Sequence, residues 1–135
     1  MERTIVNPPG LQPPRGFSHG IVTRGGRLLF LAGQDASDPS GRIVGPGDLV
    51  AQFAQVLRNL KAVTEEAGGS LRDVVKLNIF VRDRRDYLGK AKPLGQIFRT
   101  YFSGHYPAMA LFEVSGFVHE DALVELEGVA VLASE

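Results

Sequence analysis

The sequence predicts an α+β domain, a two-layer sandwich in which a mixed six-stranded sheet carries two helices on one face. Three observations support this. Short apolar runs with the period-2 alternation of half-buried strands recur along the chain, two stretches carry apolar residues at helical spacing, and Gly/Pro clusters separate them. At 135 residues the chain is long enough to bury a core of its own, so residues 1–135 read as a single domain.

Residues 7–16 hold four prolines and two glycines, which favours an extended or turn-rich lead-in. Ser18 to Thr23 then reads as a strand, Gly25-Gly26 as a two-residue turn and Arg27 to Ala32 as a second strand, together a β-hairpin. Asp38-Pro39-Ser40-Gly41 is a turn by composition, and Arg42-Ile43-Val44 a short edge strand. Leu49, Phe53, Val56, Leu57, Leu60, Val63 and Ala67 mark one helical face, with Gln52, Gln55, Arg58 and Lys61 on the other. Asp48 caps this helix and Gly68-Gly69 ends it.

Ser70 to Asp73 has the form of a capping box opening a short turn. Val75, Leu77, Ile79 and Val81 alternate as a strand. Asp83-Arg84-Arg85-Asp86 reads as a solvated loop. A second helix carries Tyr87, Leu88, Ala91, Leu94, Ile97, Phe98, Tyr101 and Phe102, starting afresh near Pro93, which lacks the backbone donor a helix interior needs. Tyr106 to Val114 and Leu123 to Val131 close the chain as two strands. Two helices cannot cover both faces of such a sheet, so the uncovered face calls for further copies of the chain.

Composition narrows the function. Fifteen basic residues balance fifteen acidic ones, so no global field favours nucleic acid or an anionic membrane. With zero cysteines there is no disulfide framework, thiolate site or cysteine nucleophile, and His19, His105 and His119 lack metal-binding spacing, so no metal is expected. No run has signal-peptide or transmembrane character, which predicts a cytoplasmic protein.

The final strand carries the chemistry. Glu125 and Glu127 stand two apart and therefore share a face with Leu123, Val129 and Val131. At a wet sheet edge they would be solubilising residues. Partly desolvated, two like charges this close would raise at least one carboxyl's pKa and make it a proton shuttle. Both readings stand for Glu127.

The chain resembles the RidA/YjgF-like reactive intermediate (imine/enamine) deaminases, known in older usage as the L-PSP endoribonuclease or translation-inhibitor family. The likeness runs through Gly16-Phe17-Ser18-His19, Leu28 to Gln34, Asp38 to Gly41, the helix from Gln52, Asp73 to Asp83, Tyr106-Pro107-Ala108 and Val124 to Ala130. It implies a chorismate-mutase-like homotrimer with small-molecule clefts between subunits and a chemistry without cofactors. In active members an arginine grips the substrate carboxylate, and a glutamate on the last strand activates water to hydrolyse an imine.

Position by position, the resemblance assigns catalysis to Glu125 and substrate contacts to Ser18 and Gly33. The family's tyrosine is Phe17 here, its asparagine falls near Gly95, and its arginine is Met109. A thioether cannot replace a guanidinium fork worth roughly 1.5–3 kcal/mol, so substrates clamped by their carboxylate at that point are disfavoured. Met109 suits a larger or less charged ligand, or packs in an interface; Arg15 could supply the missing charge. Two functions follow: hydrolysis of an imine- or enamine-type metabolite, or a trimeric module that binds a metabolite or protein without catalysis. A ribonuclease or translation inhibitor is disfavoured by the charge balance.

Overall fold

The computed structural model describes residues 2–135. In chain order it has β1 (Glu2–Val6), β2 (Gly20–Arg24), β3 (Arg27–Gln34), α1 (Leu49–Glu66), a 3₁₀ turn (Leu71–Asp73), β4 (Val74–Val81), α2 (Arg84–Gly89), α3 (Ala91–Phe102), β5 (Ala108–Glu113) and β6 (Val124–Leu132). The α+β class holds, but the six strands do not form one sheet. β3, β6, β4 and β5 make a four-stranded mixed sheet in that order, while β1 and β2 form a separate antiparallel ribbon.

Three sequence expectations are corrected. The expected hairpin of β2 with β3 is absent because β2 takes β1 as its partner, from Glu2↔Arg24 to Val6↔Gly20. The ribbon is held to the domain by Arg3, which donates to the Arg72 carbonyl and pairs with Asp73 at 2.9 Å. Residues 42–44 make only a single bridge, Ser37↔Ile43, instead of a strand. The charged run at 83–86 opens a third helix, because the Asp83 carboxylate accepts from the backbone N–H groups of Arg85 and Asp86, satisfying donors that a helix start otherwise exposes.

The core lies between α1, α3 and one face of the sheet. Phe53, Val56, Leu57 and Leu60 of α1, Leu94, Phe98 and Phe102 of α3, Leu77 and Val81 of β4, and Val124, Leu126 and Ala130 of β6 are all buried in one cluster. Each large side chain there is worth about 1.5–3 kcal/mol in burial. Gln52, expected on the polar face, is fully buried. Its amide donates to the carbonyls of Gly45 and Asp121 and accepts from Leu123 N–H at 2.8 Å, so it ties the loop before β6 to α1 with every polar atom satisfied.

The opposite sheet face is open. Phe30 is 73% exposed, Leu28 64% and Phe112 49%. Gly128 sits at the crossing of β3, β6 and β4, paired with both Leu31 and Leu77. A Cβ there would come within 2.1 Å of the Lys76 carbonyl oxygen, so only glycine fits. Among the described residues no helix is long and apolar enough to cross a membrane.

Candidate functional site

β6 runs through the middle of the sheet, and its alternation sends Val124 and Leu126 into the core and Glu125 and Glu127 to the open face. Glu125 is half-buried and Glu127 exposed. Together with Phe80, Phe117 and Val118 they line a hollow of about 530 Å³. Glu125 folds back over Gly33, where a Cβ would stand 2.4 Å from its Oε2. The bare α-carbon of Gly33 thus leaves space for the carboxylate. Asn78 donates to Glu127 Oε2 at 3.4 Å.

Two residues that the sequence did not single out complete this region. Asp35 follows Gln34, the partner of Leu126, and its charge acts on Glu125. Asp35 is held by Ser37, whose N–H donates at 3.1 Å and whose hydroxyl also donates, and its other oxygen lies 3.6 Å from His119 Nε2. Asn59 of α1 donates to the carbonyls of Asp35 and Ser37, both at 3.0 Å, fixing the loop. Desolvation, then the charges of Asp35 and Glu127, push the Glu125 carboxyl above the usual carboxylate range, while His119 opposes the rise. A carboxyl tuned upward holds a proton more readily than an ordinary one and is better suited to take and return it.

Phe17, Ser18, Met109, Arg15 and Gly95 gather elsewhere. Ser18 is buried; its hydroxyl donates to the Tyr106 carbonyl at 2.7 Å and its N–H to that of Pro107 at 3.0 Å, stapling the lead-in to the start of β5. Phe17 meets His19 edge to face at 5.1 Å. Phe17, His19, Tyr87 and Met109 border a hollow of about 430 Å³, and Gly16, Tyr87 and Met109 also border a smaller one of about 190 Å³ that holds Arg15, Gly95 and Arg99. Burial raises the Tyr87 phenol's pKa, so it stays a protonated donor.

These two regions lie on opposite faces of one sheet. Met109 pairs with Leu77, a core residue, and Glu125 with Phe80, three positions further along β4 and hence on the other side. One chain therefore does not bring Met109 and Glu125 into a common cavity. Arg99 was missed because the sequence reading followed the apolar stripe of the helix; Ala91, Gly95 and Arg99, at i, i+4 and i+8, form a second line beside it. Asp35 and His119 carried no comparable local signal.

The family model for Endoribonuclease L-PSP matches residues 10–132. A RutC family protein of Pyrococcus horikoshii is 35% identical over 130 residues, covering 96% of this chain and 98% of the relative. The 3-aminoacrylate deaminase RutC of Acinetobacter baylyi is 34% identical over 130 residues, with the same 96% and 98% coverage. Among solved structures, the Rid-family protein YyfB of Yersinia pestis superposes with a TM-score of 0.87 at 38% identity, covering 98% of this chain and all of that one (100%). The YjgF protein of Escherichia coli gives 0.65 at 31%, covering 85% and 87%.

Proposed function

Since the chain belongs to the Endoribonuclease L-PSP family, the group that also holds the Rid and YjgF proteins, we propose that it is a cytoplasmic, cofactor-free hydrolase of a small imine or enamine. The site works between copies of the chain in a homotrimer. The observation that carries the reading is Glu125, a carboxyl with a raised pKa seated on Gly33 and facing a hollow edged by aromatic and aliphatic side chains. Its separation from Met109 by the thickness of the sheet favours a second copy as the source of the other wall. The exposed Leu28, Phe30 and Phe112 give that copy an apolar surface to cover.

In this reaction Glu125 takes a proton from water as the oxygen adds to the imine carbon, then returns it to the nitrogen. The proton of the resulting hydroxyl follows the same route through Glu125 to that nitrogen, and ammonia leaves as the carbonyl forms. General acid–base help of this kind is worth about 10²- to 10⁴-fold. Glu125→Gln keeps the shape and loses the proton transfer, so ammonia release from the best substrate should fall by that order. Turnover unchanged from wild type would end the reading.

A second reading, a binding module without catalysis, draws on Ser18, whose hydroxyl is committed to the Tyr106 carbonyl, and on the absence of a guanidinium at Met109 and a hydroxyl at Phe17. Wild-type protein that binds imine analogues but releases no ammonia from any imine would select it. Cleavage of RNA is the weaker alternative for a chain whose charges sum to zero.

A further inference from the structure

We infer that the smaller hollow beneath Met109 is an anion subsite, in which Arg99 and Arg15 hold the carboxylate of a substrate whose apolar chain passes Met109 into the wider hollow beside it. The assignment rests on the imine-hydrolase reading for the substrate's reactive end; the binding of the carboxylate stands on its own observations.

The walls decide the charge of the guest. They are formed by Arg15 and Arg99, Tyr87 and Tyr106, and the apolar Leu94 and Phe98, with no acidic residue in the lining. Neither Arg15 nor Arg99 lies within ion-pair distance of an acidic side chain among the described residues, although acids and bases balance in the chain as a whole. Two like charges facing one small, partly apolar space focus a positive potential there, and an anion relieves it.

Arg99 also points the right way. As a basic residue in the last turn of α3 it could have served only to offset the helix's negative end. Instead its guanidinium lies back over Gly95, with Nη1 3.3 Å from where a Cβ at that position would stand, so the group sits over the preceding turn and inside the hollow. The guanidinium that the family resemblance places at Met109 is thus supplied from the neighbouring helix and from the lead-in loop. Moving the grip changes the substrate: about 190 Å³ accepts the acid group and its first carbons, and the adjoining 430 Å³ accepts the rest of a longer chain. The class selected is a monocarboxylate with an extended apolar body, in preference to the shortest 2-imino acids.

Binding of 2-oxohexanoate, 2-oxobutanoate and uncharged 2-hexanone, followed by calorimetry on the full-length protein, tests this without any turnover. The wild type should bind 2-oxohexanoate best, with an affinity that falls as salt is raised. Arg99→Gln and Arg15→Gln should each weaken it roughly 10- to 100-fold, as loss of a charge-assisted bond does. Arg58→Gln, on the exposed side of α1, removes the same charge elsewhere and should leave affinity unchanged. The inference is overturned if 2-hexanone binds as tightly as 2-oxohexanoate, if the wild type binds no 2-oxohexanoate, or if Arg99→Gln matches the wild type. Wild-type turnover in Glu125→Gln would sink the catalytic reading and leave the subsite; wild-type affinity in Arg99→Gln would do the reverse.

Discussion

The two faces of the four-stranded sheet are built from alternate residues of the same strands, yet they differ in kind. The face under α1 and α3 is closed and apolar, and at its β5 margin it opens into hollows bordered by arginine, tyrosine and methionine. The other face is uncovered, exposes Phe30 and Phe112, sets Phe80 beside Glu125 and Glu127, and carries the one carboxyl among the described residues whose pKa is clearly raised. Arg15 and Arg99 line a hollow on the first side, and Glu125 and Glu127 line one on the second. On the proposed reading each chain supplies two separate halves of a site, which stacked copies would join.

The largest expected effect tests whether the faces differ as described. Leu126→Ala removes a fully buried side chain and should cost about 2–5 kcal/mol in urea denaturation. Leu28→Ala, one layer away on the open face, should cost under about 0.5 kcal/mol in a dissociated chain and should shift the assembly towards smaller species in sedimentation. Equal losses from both, with no change in assembly, would erase the contrast.

Next in size, Met109→Arg places a guanidinium on the strand and should raise ammonia release from 2-iminobutyrate by roughly 10- to 100-fold. An unchanged rate would mean that the grip needed by short acids does not depend on this position.

The smallest effect concerns the acidic side. Removing the Asp35 charge with Asp35→Asn should lower the pH at which Glu125 titrates, read by carboxyl carbon NMR. Removing His119 with His119→Gln should raise it. The same shift has a stability consequence. Because the folded carboxyl holds its proton to a higher pH than the unfolded one, stability falls as pH rises from the ordinary carboxylate range through the raised value. Asp35→Asn should therefore soften that fall, and a titration of Glu125 unmoved by either substitution would show that the three groups do not sense one another.

How much of this was legible depended on whether the signal was local. α1 and β4 could be read from periodicity because their faces alternate cleanly, and Glu125 stood out because an acid on an apolar face needs a cause. The β1–β2 ribbon could not be read this way: Gly25-Gly26 is a good turn in isolation, but the choice of strand partner is made by distant contacts such as Arg3 with Asp73. α2 was hidden by its charges, since an acid that caps a helix and an acid in a loop have the same composition. Asp35 reaches Glu125 only through the β3–β6 register, and Arg99 reaches the hollow only through the docking of α3 beside β5.

The bare α-carbon at position 128 has a reach beyond its neighbourhood. Three backbones converge there, and no adjacent residue of β6 could take the same place without a side chain striking Lys76. A shift of β6 by one residue would carry both glutamates into the oil of the interior and turn Val124 and Leu126 out to water. The absence of a single methyl thus works as a notch that indexes the strand, and the location of the protein's proposed proton carrier is decided by an atom that is not there.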